Sequence, residues 1–165
     1  MSLEETASIA LTVNGEGVES TVPVRQHLVD FLRTELGLTG SHIGCEHGIC
    51  GACSVRVDGA VVRGCLMLAV QADGAEVVTI EGLTDSGEIA DLQEMFVERN
   101  ALQCGYCTPG MLITAAELLK AGAPASREKI REFLSGNFCR CTGYHAIVDA
   151  VEATLKQRLD RKAGG

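Results

Sequence analysis

Ile9, Leu11 and Val13 alternate with Ser8, Ala10 and Thr12, the period-two pattern of a half-buried strand. Asn14-Gly15 follows at once and a second run spans Val18 to Val22, which together predict a hairpin. A helix is predicted over residues 26–35, with Leu28, Phe31 and Leu32 on one face and Gly37 beyond its end. Residues 44–53 hold three glycines and three cysteines and fit no regular element. Strands follow at 54–57 and 60–63 around the turn Asp58-Gly59, and a last one at 76–80. The sum is a small mixed sheet packed on one helix.

From Gly87 the period changes. Ile89, Leu92, Met95, Phe96 and Arg99 recur at helical spacing. Thr108-Pro109 reads as an N-cap followed by a proline in the first turn, and Leu112, Ala115, Ala116 and Leu119 form a stripe that stops at Gly122. Ser126 caps a short helix carrying Ile130, Phe133 and Leu134. A last helix from about Ala146 places Ile147, Val151, Leu155 and Leu159 on one face. Four helices make a small bundle. Residues 81–86, with Gly82 and Asp85, read as the joint, so the expected units are 1–82 and 83–165, an α+β chain in two domains. The tail, residues 161–165, reads as disordered.

Composition narrows the functional classes. With 14 Lys plus Arg against 22 Asp plus Glu, the formal charge of −8 disfavours nucleic acid and an anionic membrane surface, both of which need clustered cations. No run approaches the ~20 apolar residues of a membrane helix. Met1-Ser2-Leu3-Glu4-Glu5 opens on acids without an apolar run behind it, and no twin-Arg signal is found. The expected compartment is the cytoplasm, where thiols stay reduced and cysteine more often binds metal or does catalysis than forms disulfides.

The 8 cysteines divide equally between the two halves. Cys45, Cys50 and Cys53 are spaced C-x4-C-x2-C with Cys65 farther on, the plant-type [2Fe–2S] arrangement. Such a cluster is anionic and needs backbone N–H groups near its sulfurs; Gly44, Gly48 and Gly51 allow the sharp turns and close approach that requires. Cys104-x2-Cys107 and Cys139-x-Cys141 each precede a predicted helix, whose N-terminus favours thiolate. Facing each other, the two pairs would form one four-thiolate pocket. Four thiolates also suit zinc, so zinc remains an alternative for the second site. Zinc explains neither the x4 spacing nor the glycines of the first. A Rieske centre needs two histidine ligands, and Cys45-Glu46-His47 has no second half. His47 reads as a solvated loop residue; His27, His42 and His145 read as structural. Cys104-Gly105-Tyr106-Cys107 lacks the βαβ setting of a thioredoxin motif. Met67, Met95 and Met111 read as core.

Three segments together carry a resemblance: Gly44-Cys45-Glu46-His47-Gly48-Ile49-Cys50-Gly51-Ala52-Cys53, Gln103-Cys104-Gly105-Tyr106-Cys107-Thr108-Pro109-Gly110, and Gly136-Asn137-Phe138-Cys139-Arg140-Cys141-Thr142-Gly143-Tyr144. Over residues 8–158 the chain resembles the small iron–sulfur subunit of the molybdenum hydroxylases, the xanthine oxidase family, in its bacterial, separate-subunit form. The resemblance implies a plant-type ferredoxin-like β-grasp domain followed by a helical [2Fe–2S] domain. It implies a large molybdopterin-binding catalytic subunit and a medium FAD-binding subunit as partners, in a heterotrimer or its dimer. Cys45, Cys50, Cys53 and Cys65 would hold the flavin-side cluster; Cys104, Cys107, Cys139 and Cys141 the molybdenum-side one. Gln103 and Cys141 would approach the pterin. The chain would pass electrons singly from molybdenum to flavin while the large subunit hydroxylates an aromatic N-heterocycle or aldehyde with oxygen from water. A free-standing ferredoxin-type carrier is the alternative, and the second cysteine quartet is what it leaves without a use.

Overall fold

The computed structural model describes residues 5–164; the acidic start, Met1 to Glu4, and Gly165 lie outside them. Strands β1 (Thr6–Val13) and β2 (Glu16–Pro23) pair antiparallel in register from Thr6–Pro23 to Val13–Glu16. Asn14 and Gly15 both have positive φ, 52° and 84°, as the tightest hairpin turn demands. Helix α1 (Leu28–Thr34) buries Leu28, Val29, Phe31 and Leu32. Strands β3 (Ser54–Val57) and β4 (Ala60–Arg63) form a second hairpin, whose Asp58 and Gly59 again have positive φ.

After a 3-10 turn over Ala69–Ala72, β5 (Glu76–Val78) completes the five-stranded sheet. The strand order is β2-β1-β5-β3-β4; β5 runs parallel to β1 and antiparallel to β3. The expected alternation holds, since Ile9, Leu11 and Val13 face a core shared with Val22, Phe31, Leu32, Val55 and Val77.

The second half differs from its expected outline. The segment read as a joint is a helix, α2 (Ile80–Asp85), so β5 ends at Val78 and Thr79 takes the N-cap position of the next element without a side-chain capping bond. Then come α3 (Ala90–Glu98), α4 (Thr108–Ala121), α5 (Arg127–Leu134) and α6 (His145–Ala163). Among the described residues of this half, five helices stand where four were expected.

Ile80 and Leu83 of α2 join the core of Leu92, Phe96, Met111, Ile113, Ile130, Ile147 and Val151, so this short helix is held by what it buries. α4 is buried nearly all round rather than along one stripe, with Met111, Ile113, Thr114 and Leu118 also covered. Cys107, not Thr108, is its N-cap, and Gly122 ends it at φ 61°. Ser126 caps α5 as expected, accepting from the Lys129 amide, but Phe133 lies 40% exposed. The tail does not fray at 161; α6 runs on to Ala163.

α3 is tied to α6 by charge. Asp91 accepts from Arg158 at 2.6 and 2.9 Å and from Arg161 at 2.8 Å. The Arg158 guanidinium holds the Asp91 carboxyl below its ordinary range. A lowered folded-state pKa gives stability above the unfolded pKa that vanishes as pH falls through the folded one. Asp91→Asn is therefore expected to cost about 1 kcal/mol at neutral pH and nothing in strong acid. Melting temperature measured against pH checks this; a pH-independent difference contradicts it.

Candidate metal centres and the junction between them

All eight cysteines are free of disulfides. They fall into two groups, one in each half. In the first, the Gly44–Cys53 loop wraps between α1 and β3, and Cys65 follows β4. Cys45 Sγ accepts from the amides of His47 and Cys50, both at 3.4 Å. Those two amides, Cys50 first, bring the Cys45 thiol down to about 6. Glu46 at φ 56° lets the chain double back so that the amides converge.

Cys53 and Cys65 are each 2% exposed. Burial, together with its neighbours Cys65 and Cys50, pushes the Cys53 thiol up to about 11. Gly44 lies directly against Cys50, where a Cβ would come 3.1 Å from Sγ. Gly48 and Gly51 act otherwise. Both have φ 74°; a Cβ would strike Leu66 at the first and Gly136 and Asn137 at the second. Gly51 therefore serves contact with the other half of the chain.

In the second group, Cys104 and Cys141 are exposed with their sulfurs 3.5 Å apart. Cys107, at the N-cap of α4, is driven up to about 12 by burial and then by Cys139 and Cys104. Cys139 Sγ accepts from the Thr142 hydroxyl at 3.1 Å. Burial opposes the Cys139 thiolate, but the Thr142 hydroxyl and the amides of Thr142 and Cys141 outweigh it and hold that thiol below its ordinary range. Thr142, Gly143 and Tyr144 separate the Cys139–Cys141 pair from α6; Tyr144, in the αL conformation, is the N-cap, and its hydroxyl accepts from the Cys139 amide at 3.0 Å.

The chemistry of these donors fits iron–sulfur clusters: soft sulfurs, amide and hydroxyl donors aimed at them, and no cross-linking. Among the described residues no three His, Cys, Asp or Glu side chains gather as ligands of a single ion. In a [2Fe–2S] cluster, four cysteines are shared between two irons.

Between the two groups the loops meet. The Phe138 amide donates to Cys50 O at 2.8 Å, joining residues next to or within both motifs. Asn137, 1% exposed, donates through Nδ2 to Gly51 O at 3.2 Å, and its Oδ1 accepts from the Thr114 hydroxyl at 2.9 Å. Tyr106 donates its hydroxyl to Ile43 O and stacks on His42, ring centroids 4.5 Å apart. Farther off, the buried Arg56 of β3 pairs with Glu88 at 2.9 Å and with Glu117 of α4 at 2.7 Å.

Arg63, which donates to Gly136 O, and Gly110, which abuts Gly51 O, belong to the same junction; Asn137 and Gly110 lie inside the quoted motifs, but these contacts escape sequence reasoning because the residues they join are far apart in the chain. Gln103, Arg140 and His47 are exposed, as a partner-facing or solvated role requires. Asn137→Ala is expected to cost about 2 kcal/mol, about 1 for each of the two buried hydrogen bonds lost; Gly51 O keeps its Ser54 donors and the Thr114 hydroxyl keeps Gly110 O. Denaturant unfolding measures it, and a loss under ~0.5 kcal/mol contradicts the hub role.

A ferredoxin-like sheet and a helical unit, each carrying a thiol quartet, define an iron–sulfur protein. A 2Fe-2S iron-sulfur cluster binding domain model matches residues 11–79, and a [2Fe-2S] binding domain model matches residues 79–152. The chain is 51% identical over 148 residues to the caffeine dehydrogenase subunit gamma of Pseudomonas sp. (strain CBB1), covering 88% of this chain and 89% of that one. It is 49% identical over 150 residues to the nicotine 6-hydroxylase small subunit of Paenarthrobacter nicotinovorans, covering 91% and 90%. Its fold superposes on a chain of quinoline 2-oxidoreductase from Pseudomonas putida 86 with a TM-score of 0.86 at 47% identity, over 94% of this chain and 97% of that one. The chain belongs to the family of small iron–sulfur subunits of molybdenum hydroxylases. Its role is that of an oxidoreductase subunit.

Proposed function

We propose that the chain is the electron relay of a molybdenum hydroxylase, with Cys45, Cys50, Cys53 and Cys65 holding one [2Fe–2S] cluster and Cys104, Cys107, Cys139 and Cys141 the other. The observation that carries this is the sorting of eight free thiols into two quartets whose loops touch through the Phe138–Cys50 hydrogen bond. Each bound cluster stores and returns one electron. The chain's own groups set the conditions: amide donors on Cys45 and the Thr142 hydroxyl on Cys139 stabilise negative charge at sulfur. The two units would divide at 1–82 and 83–165, with α2 at the joint.

Electrons would arrive from a molybdopterin in a large catalytic subunit and leave to FAD in a medium subunit, in a heterotrimer or its dimer. Gln103 and Cys141, both exposed, would face the pterin. The substrate class would be an aromatic N-heterocycle, as the names of the caffeine, nicotine and quinoline enzymes among its relatives suggest. A cytoplasmic site suits reduced thiols, and among the described residues no helix is long and apolar enough to cross a membrane.

The test is isolation of the chain with whatever accompanies it. Iron and acid-labile sulfide filling both sites, two paramagnetic signals on reduction, and co-purification with two larger chains carrying molybdenum and flavin are expected. Zinc in place of iron at the second site, or a single signal with half the iron, overturns the two-cluster reading. A panel of N-heteroaromatics and aldehydes assayed on the complex decides the substrate class.

A further inference from the structure

Arg63, the last residue of β4, is half-buried and reaches both cysteine loops at once. Its Nη1 donates to Ser54 Oγ at 2.5 Å, and Ser54 adjoins Cys53; that same hydroxyl donates to Gly51 O, which adjoins Cys50. Its Nη2 donates to Gly136 O at 2.7 Å and lies 3.5 Å from Asn137 Oδ1, both just ahead of Cys139. Gly136 leaves the room for this: a Cβ there would come 2.8 Å from Nη2. The guanidinium therefore stands between two sites that each gain a negative charge on reduction. Arginine is a fixed cation in proteins.

We propose that Arg63 is a positioning residue whose single positive charge is shared by both centres and raises the reduction potential of each. A fixed cation favours the more negative, reduced state of any nearby cluster, and the effect is stronger where protein rather than water fills the gap. Arginine suits the place because its planar fork makes two directed bonds to different loops, which a lysine ammonium does not reproduce. The proposal rests on the eight cysteines being the cluster ligands.

The experiment is a redox titration of the purified complex, followed by the two paramagnetic signals, for wild type, Arg63→Gln and Arg63→Lys, with iron content and melting temperature measured on the same samples. Arg63→Gln is expected to shift the reduction equilibrium of both centres towards the oxidised state by on the order of tenfold, about 59 mV for a one-electron couple. Arg63→Lys, which keeps the charge and loses the fork, is expected to lower the melting temperature while moving the potentials much less. If Arg63→Gln holds full iron and loses only thermal stability, Arg63 is structural and the proposal fails. A shift of one signal alone also overturns the shared role. Wild-type protein with half the iron or none points instead to a failure of the ligand reading. Should Arg63→Gln not assemble, Asn137→Asp sets a carboxylate beside the same guanidinium; both potentials are then expected to fall, and unmoved potentials overturn the proposal.

Discussion

Gly110→Ala is expected to destabilise the chain by about 3 kcal/mol and lower its melting temperature by roughly 6–12 °C. Gly110 lies in the first turn of α4, and a Cβ there would come 2.1 Å from Gly51 O and 3.2 Å from Ala52 Cα. Both obstacles are backbone, which no rotamer change moves aside. Gly51 O cannot yield, because the Ser54 amide, the Ser54 hydroxyl and Asn137 Nδ2 all donate to it. Nor can α4 slide away, since it is buried on nearly every side and forms the middle of the helical core. The added methyl has to push the helix off the cysteine loop, and the Phe138–Cys50 bond would be strained with it. Thermal unfolding of the assembled protein measures the effect; a variant melting within a degree or two of wild type would show that the two halves pack more loosely than described.

The second large effect concerns the metal rather than the fold. Cys139→Ser is expected to abolish one paramagnetic signal and half of the iron, while Cys50→Ser abolishes the other. A serine hydroxyl is a hard, weakly acidic ligand in place of a soft thiolate, and iron–sulfur clusters are held by thiolates. The effects should stay separate because each quartet rests on its own supports. Cys53 and Cys65 are packed with Val29 beside the sheet, whereas Cys139 leans on Tyr144 and the helical core. Iron analysis and spectra of both variants provide the check. Loss of both signals from either substitution contradicts two independent centres.

How much of this could be read from the sequence follows the range of the interactions involved. Period-two and helical spacing placed β1, β2, α3, α4 and α6, because each signal sits within one element. Asn14-Gly15 and Asp58-Gly59 marked their turns through local backbone preference, and the glycines and cysteines of residues 44–53 marked an irregular loop in the same local way. What depends on distant partners did not show. α2 carries Gly82, Thr84 and Asp85, all poor helix formers, and reads as a linker. It is helical because Ile80 and Leu83 find a core, and Gly82 is there to admit the Asn14 side chain, whose Oδ1 would meet a Cβ at 2.2 Å. Phe133 fits the apolar face of α5 by spacing, yet the core is filled by Ile130 and Leu134 without it. The contacts of Arg63 and Asn137 across the junction have no local signature; the bonds to Gly136 O and Gly51 O each span more than 70 residues of chain.

The place of β5 in the sheet bears on how the molecule comes into being. This three-residue strand, last in sequence, is wedged in the centre, parallel to β1 on one side and antiparallel to β3 on the other. Until residues 76–78 are available, the two hairpins have no common seam, and closing that seam means bringing together segments some 60 residues apart, a slow step for any chain. By then Thr79 has already begun α2. The leading hairpin must therefore wait, open-edged, for a strand that arrives with the helical portion at its heels, so nascent chains cut short before that strand should be prone to sticking to one another.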